Sequence, residues 1–216
     1  MQEYLGDDTR HDEDSDNELA FRLPLKWDKY KKPLSWSAIN SFRYDKKQWY
    51  AKYVLGEITV PSKEMEFGSY IGKRLETEED FMPEIPRCMA GMEYKIHCDF
   101  DDVQLLGYVD SFDEQNLILH EYKTSSNKKK WNQKSVDEHE QLTMYLLGLY
   151  ITKNIYPEDV KIFLHYIPVR ENGAFKMEID TSVLIQHFET KRNRRDIIKF
   201  GVEIKKTIKE MEKYVP

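Results

Sequence analysis

The spacing of hydrophobic residues predicts helices in the first part of the chain. Residues 34–56 carry apolar side chains at helical intervals, with Ser35 or Ser37 placed to cap the helix and Gly56 placed to end it. A second helix is predicted over residues 63–81, where apolar and charged positions again recur with a helical period.

From residue 91 onward the pattern changes to the alternation that is typical of strands. Three strands are predicted, joined by the turns "DD" and "DEQN", followed by a mostly apolar helix, two more strands and a long charged helix that closes the chain. Their predicted ranges are 92–100, 103–112, 117–125, 136–152, 160–169, 173–179 and from about residue 182 to the end. This order predicts an α/β fold with helices on both sides of a sheet.

Length and composition are those of a protein with one folded core. With 216 residues, of which 40% are hydrophobic, the chain is one domain or one domain with appendages. It shows neither an apolar run of membrane-spanning length nor a signal-peptide pattern, so we expect a soluble cytoplasmic protein with no membrane partner. Cys88 and Cys98 are expected to be free thiols, with a single disulfide as the alternative.

The net charge of −6 is concentrated at one end of the chain. Residues 1–18 hold eight acids and one arginine, a sum of −7, whereas the rest holds 31 acids against 32 lysines and arginines, a sum of +1. The first segment has few apolar side chains, so it is predicted to be an acidic, flexible tail. The body is nearly neutral, and local basic patches therefore matter more than the total charge.

Three charged residues surround the turn between the second and third predicted strands. Glu121 and Lys123 are two residues apart, so they point to the same face, and antiparallel pairing brings Asp110 close to Glu121. Adjacent carboxylates repel each other, and a hard divalent cation relieves this repulsion, with the Tyr122 carbonyl as a further oxygen ligand. Lys123 is then placed to orient a water molecule or to neutralise charge on a phosphate. This chemistry suits phosphodiester hydrolysis.

In a chain with 33% charged residues, the same three charges also fit an ordinary amphipathic hairpin. The neighbouring segments favour the first interpretation. "GYVD", "HEYKTS" and "QLTMYLLGLY" together resemble the RecB-like branch of the PD-(D/E)xK nuclease superfamily, which includes CRISPR-associated exonucleases. That branch combines Gly-x-x-Asp, (Asp/Glu)-x-Lys and a helix with Gln-x-x-x-Tyr, which Gln141 and Tyr145 match. The resemblance covers roughly residues 34–170, including the first predicted helix.

The resemblance implies a restriction-endonuclease-like core, with a central mixed sheet flanked by helices, in a single nuclease domain over residues 19–216. It implies that Asp110 and Glu121 bind Mg²⁺ or Mn²⁺ and that Lys123 positions the attacking water. It also implies that Gln141 and Tyr145 brace the site or hold the phosphate of the scissile strand. The four cysteines of iron–sulfur relatives have no counterpart here, so no such cluster is expected.

One position departs from the family pattern. The second helix of the family usually reads Gly-x-x-x-His, with the histidine as a metal ligand, whereas this chain has Gly68 followed by Gly72. Glu76 lies one turn further along, and it either replaces the missing ligand, directly or through water, or faces solvent.

Several basic and aromatic side chains are expected to contact DNA. Lysines interleaved with Trp27, Trp49 and Trp131 fit a groove that combines phosphate contacts with base stacking, although any one charge run also fits a solvated surface. The loop after Lys123 provides the best candidates. The expected contact residues are Lys128, Lys129, Lys130, Trp131, Ser37, Lys73 and Arg74.

The sequence therefore predicts a metal-dependent DNA nuclease, an exonuclease on single strands or duplex ends that acts in recombination, repair or replication. One alternative is a catalytically weakened nuclease fold that binds DNA or a protein partner, which the glycine at position 72 favours. Another is a nuclease subunit that needs a helicase, recombination or replication protein as its partner.

Overall fold

The computed structural model describes residues 33–172 and 176–215, so the prediction of an acidic tail over residues 1–18 lies outside the described residues. The helices are Trp36–Tyr44 (α1), Lys46–Trp49 (α2, continued by a π-helical segment, Tyr50–Val54), Lys63–Thr77 (α3), Gln133–Asp137 (α4), Glu140–Lys153 (α5) and Arg194–Tyr214 (α6). The strands are Leu34–Ser35 (β1), Met92–Phe100 (β2), Val103–Asp113 (β3), Ile118–Ser125 (β4), Lys161–Glu171 (β5), Met177–Ile179 (β6) and Gln186–Thr190 (β7).

The strands form one seven-stranded mixed sheet. β2 and β4 run antiparallel to β3, as the two predicted turns require, and β6 and β7 run antiparallel to β5. Two pairs are parallel, namely β1 with β3 and β4 with β5. The predicted α/β fold with a central mixed sheet is therefore confirmed.

The sheet opens at one place along β3. β2 pairs with β3 along nearly its whole length, so β1 and β4 share the opposite edge. β1 pairs with Leu105 and Leu106, whereas β4 pairs with residues 111–113. Between these two contacts, residues 107–110 have no strand partner on that edge among the residues that the structure describes. We refer to this break between β3 and β4 as the sheet opening, and Asp110 lies at it.

Helices cover both faces of the sheet. The main core contains the buried side of α5, of which Leu142, Leu146 and Leu149 are fully buried, together with residues of α1 and α6. On the other face, Ile71 and Leu75 of α3 form a second buried cluster with strand β5. None of the helices in the described part of the chain is long and apolar enough to cross a membrane.

The predicted final helix begins too early. Residues 186–190 form β7 against the edge of β5, and the helix starts at Arg194. Asn193 fixes this start because its side chain accepts the N–H groups of Arg195 and Asp196, while the Asp196 carboxylate accepts the N–H of Asn193. The prediction that one helix begins at about residue 182 is therefore wrong.

The predicted helix over residues 136–152 is divided into α4 and α5. At the division, the buried guanidinium group of Arg192 donates to the carbonyl oxygens of Val136 and His139 at 3.1 and 3.3 Å. At the first helix, Ser35 rather than Ser37 is the capping residue, since its hydroxyl accepts the N–H of Ala38.

Candidate active site

The regular alternation of β3 breaks at Asp110. Val109 and Phe112 are three residues apart, yet both pack in the main core. Strict alternation would place them on opposite faces, so the backbone is irregular between them, although the pairs with β2 on either side keep one register. The break coincides with the sheet opening and turns Asp110 toward β4.

The carboxylate of Asp110 accepts a main-chain hydrogen bond from β4 that the backbone carbonyl of a neighbouring strand would otherwise accept. Its Oδ2 accepts the main-chain N–H of Tyr122 at 2.6 Å. The N–H and C=O groups of one residue in a strand point to the same edge, so the Tyr122 carbonyl also faces the sheet opening. Asp110, its neighbour Glu121 and the Tyr122 carbonyl thus come together at one point.

Glu121 is buried with one oxygen paired and the other unpaired. Its side chain is 1% exposed, and Oε1 lies 2.5 Å from Nζ of Lys123. Oε2 is buried and has no hydrogen-bond partner among the described residues. A buried carboxylate oxygen without a partner is costly, and such atoms in native proteins usually have a bound water or ion.

Lys123 is held by a chain of hydrogen bonds that leads to helix α5. Its Nζ donates to Oε1 of Gln141 at 3.0 Å, and Nε2 of Gln141 donates to the hydroxyl of Tyr145 at 2.6 Å. The Tyr145 hydroxyl donates in turn to the carbonyl oxygen of Tyr108 at 2.6 Å. The two helix residues are therefore placed to fix the lysine and the open edge of β3.

Two glycines allow the helices to approach the site closely. A Cβ at Gly107 would lie 2.7 Å from Cε1 of Tyr145, so only glycine leaves room for that ring against β3. A Cβ at Gly68 would lie 2.9 Å from Oγ1 of Thr124, which places α3 directly over β4 beside Lys123.

The electrostatics of the site favour an added positive charge. Burial raises the pKa of Asp110, and the charge of Glu121 raises it further. Burial likewise raises the pKa of Glu121, although Lys123 opposes this effect. Burial disfavours the charged form of Lys123, but the two carboxylates outweigh it and raise the pKa of the lysine. Lys123 is thus a persistent cation, and one ammonium group serves two carboxylates.

The donor set of the sheet opening fits a hard divalent cation. Asp110 and Glu121 provide carboxylate oxygens, one of them buried and unpaired, and the Tyr122 carbonyl faces the same space. In the described part of the chain no three His, Cys, Asp or Glu side chains are grouped closely enough to hold a metal together. Glu76 binds Lys73 instead, with both carboxylate oxygens 3.0 Å from Nζ.

The loop residues expected to contact DNA differ in their exposure and in their partners. Trp131 is only 9% exposed and packs edge-on against His139, so its ring could stack on a base only if this loop moved. Lys128 forms an ion pair with the buried carboxylate of Asp180 at 3.1 Å. Lys129 is exposed, and Nζ of Lys130 lies over the Trp131 ring.

The other expected DNA contacts lie on the surface of α1 and α3. Ser37 is exposed in the first turn of α1, close to the sheet opening because β1 leads directly into that helix. Lys73 is paired with Glu76, and the guanidinium group of Arg74 is paired with Glu78 at 2.5 Å. Trp49 is fully buried and is not available for stacking, whereas Trp27 lies outside the described residues.

One acidic residue near the site was missed in the sequence. Glu93 of β2 lies opposite Asp110 in register, because the flanking pairs are Tyr94 with Val109 and Met92 with Ser111. Glu93 is exposed, but loss of hydration, and then the charges of Asp110 and Glu76, raise its pKa. The signal was present in the sequence, since residues 93 and 110 are equally far from the "DD" turn at 101–102.

Comparisons with known proteins give solved structures only, because no protein-family model and no curated protein matches the chain. A putative exonuclease from Eubacterium rectale has a TM-score of 0.54 at 11% identity, covering 100% of this chain and 89% of that one. An alkaline exonuclease, LHK-Exo, from Laribacter hongkongensis has a TM-score of 0.48 at 10% identity, covering 93% of this chain and 94% of that one. The likeness to the first structure shows that the chain shares its restriction-endonuclease-like α/β fold.

Proposed function

We propose that this protein is a metal-dependent DNA nuclease, acting as an exonuclease on single strands or duplex ends in DNA recombination, repair or replication. The observation that carries the proposal is the meeting of Asp110, Glu121 and Lys123 at the sheet opening, with a buried oxygen of Glu121 left unpaired. The exonuclease name of the Eubacterium rectale structure, which has this fold, supports the same reaction class.

Asp110, Glu121 and the Tyr122 carbonyl are the groups that would hold Mg²⁺ or Mn²⁺. When bound, the ion supplies Lewis-acid polarisation of the phosphate and lowers the pKa of a water molecule. Glu76 remains a candidate for a water-mediated contact, provided that Lys73 releases it.

The protein's own side chains contribute positive charge and fixed geometry. Lys123 is 26% exposed, so its ammonium group can reach a phosphate or an attacking water while it remains paired with Glu121. Gln141 and Tyr145 hold the lysine in this position through the hydrogen bonds to β3. Pre-organised charge of this kind stabilises the negative charge that develops on a phosphate during cleavage.

DNA is the proposed substrate, and the exposed surface around the opening provides its contacts. Lys129, Lys130 and Ser37 are the candidates without a carboxylate partner among the described residues. Lys128, Lys73 and Arg74 would contact phosphate only by exchanging the ion pairs that they form here.

A second candidate function is a weakened nuclease fold that binds DNA or a protein partner. The glycine at position 72 favours it, because the helix supplies no ligand at the position where the family carries histidine. In this case the protein partner would be a helicase, recombination or replication protein, and its binding would restore the nuclease activity of this chain.

A gel assay distinguishes these functions. End-labelled single-stranded and double-stranded DNA are incubated with the purified protein in Mg²⁺, Mn²⁺ or EDTA, alongside the Asp110→Asn variant. A nuclease degrades at least one substrate in the presence of metal, and both EDTA and the variant abolish the degradation. A binding protein shifts DNA to the same extent under all conditions and leaves it intact, a result that would overturn the proposal.

A further inference from the structure

We infer that Glu93 is a third acidic residue of this metal site, positioned across from Asp110 on β2, and that it performs the task of the helix ligand that Gly72 cannot supply. This inference rests on the proposed function, since it concerns the same metal site. It assigns the extra negative charge to β2, which pairs with the other edge of β3, rather than to α3.

The backbone of Glu93 points to a local requirement at this position. Its φ is 48°, in the left-handed region that an L-residue with a long side chain seldom occupies within a strand. The residue lies opposite Asp110 in register, at the place where the alternation of β3 also breaks. Two irregularities thus lie on residues that face each other across β2 and β3, and one of them, at Asp110, is at the sheet opening.

The surroundings of Glu93 differ from those of Glu76. No side-chain hydrogen bond or ion pair ties Glu93 to the rest of the described chain, whereas both oxygens of Glu76 are bound by Lys73. The side chain of Glu93 is solvent-exposed, and its charge acts on Glu121 as well as on Asp110.

The unpaired oxygen of Glu121 provides the independent sign that a ligand belongs there. Oε2 is buried in a side chain that is 1% exposed, and it has no partner among the described residues. The charges of Asp110 and Glu121 repel each other, and the charge of Glu93 adds to this repulsion when no cation is bound. Because the three carboxylates are not close enough to bind one ion directly, Glu93 acts through a water molecule on the ion, as an outer ligand.

The test is a calorimetric titration with Mn²⁺ of the full chain and four variants. Glu93→Gln removes the charge and keeps the shape, Glu76→Gln tests the alternative acid, and Asp110→Asn tests the site itself. Asp99→Asn is the matched control, because Asp99 is an exposed acid at the far end of the same strand. Thermal unfolding in EDTA accompanies each titration.

We expect Glu93→Gln to weaken Mn²⁺ binding by about 10-fold, the lower end of the range for outer ligands. Asp99→Asn should leave the affinity unchanged, and Asp110→Asn should remove the binding. In EDTA, the melting temperature of Glu93→Gln should equal or exceed that of the unchanged protein, since a repulsive charge is gone. The metal concentration for half-maximal DNA cleavage should rise in parallel.

Other outcomes are decisive in different ways. Equal Mn²⁺ affinity for Glu93→Gln and the unchanged protein, with binding still lost in Asp110→Asn, would overturn the role of Glu93 alone. Weaker binding in Glu76→Gln but not in Glu93→Gln would assign the role to the helix residue. Absence of Mn²⁺ binding by the unchanged protein, together with absence of DNA cleavage, would remove the proposed function and this inference with it.

Discussion

The main-chain N–H of Tyr122 donates to Oδ2 of Asp110 at 2.6 Å. A side chain of β3 thus accepts a hydrogen bond from β4 that a backbone carbonyl would accept in a regular sheet. The sheet itself therefore fixes the distance between the two strands that carry the acids. Neither Asp110 nor Glu121 depends on helix α3 for its placement. This arrangement explains how the site can retain its geometry although α3 contributes glycine at position 72.

Replacing Gln141 with alanine should separate catalysis from metal binding. Gln141 contacts Lys123 and Tyr145 but neither carboxylate, so we expect kcat to fall by roughly 10- to 100-fold while the Mn²⁺ affinity stays within about twofold. Tyr145→Phe should produce a smaller loss of the same kind. Tyr150→Phe, on the same helix but outside this chain of bonds, is the control. A large loss of Mn²⁺ affinity in Gln141→Ala would contradict this division of roles.

Introducing histidine at position 72 should strengthen the metal site. A Cβ at Gly72 meets no atom within 4 Å, and the spacing of Gly68, Gly72 and Glu76 places all three on one face of α3 over the sheet. We expect Gly72→His to raise Mn²⁺ affinity by about 10-fold, as a recovered ligand would. Calorimetry with Mn²⁺ measures the change.

Gly72→Ala is the matched control for that experiment. It fills the same space without a ligand, and it should stabilise the helix by about 1 kcal/mol because glycine is a poor helix former. Its Mn²⁺ affinity should not change. If Gly72→His binds Mn²⁺ no better than Gly72→Ala, then this face of α3 does not reach the sheet opening.

The sequence predicts that Asp110 and Glu121 lie side by side, because the strand register of a hairpin follows from counting residues away from its turn. The two turns fix the register of β2, β3 and β4, and the register brings Asp110 to Glu121. The same counting places Glu93 opposite Asp110. The residue was missed because no local sequence pattern predicts a left-handed backbone at glutamate.

Other features depend on tertiary contacts that the sequence does not display. Residues 186–190 form a strand because the edge of β5 is available to them, and only the capping box at Asn193 marks the true start of the helix. Trp131 follows three lysines, which suggested exposure. It is buried because the loop folds back onto α4 and the start of α5, where it meets His139.

The buried histidines on the other face of β4 should make stability depend on pH. His165 donates or accepts hydrogen bonds with His120 at 2.9 Å and with His187 at 2.6 Å, and it is 1% exposed. Burial, and then the charges of His120 and His187, lower the pKa of His165 to about 3, so it stays neutral in the folded protein. The unfolded chain binds a proton there below about pH 6.5, so this contribution to stability is lost as the pH falls below that value.

The contribution of His165 to the pH dependence of stability is isolated by comparing the unchanged protein with His165→Asn in EDTA. Asp110 and Glu121 have raised pKa values and act with the opposite sign, so the total slope mixes several groups. We expect His165→Asn to be less stable at pH 7.5, and its deficit relative to the unchanged protein to shrink by up to about 1.4 kcal/mol per pH unit below pH 6.5. Urea unfolding at four pH values measures this. The exposed His97→Gln variant should follow the unchanged protein, and parallel curves for His165→Asn would refute the explanation.

The most direct test of the central claim removes the charge of Lys123. The rate of cleavage of end-labelled DNA with saturating Mn²⁺ is compared for the unchanged protein, Lys123→Ala and the exposed control Lys134→Ala, each checked for its folded circular-dichroism spectrum. We expect Lys123→Ala to remain folded and to lose cleavage by at least about 100-fold, since preorganised charge at such sites is worth two to three orders of magnitude, while Lys134→Ala cuts normally. Cleavage by Lys123→Ala at the unchanged rate would contradict the assignment of this site to phosphodiester hydrolysis.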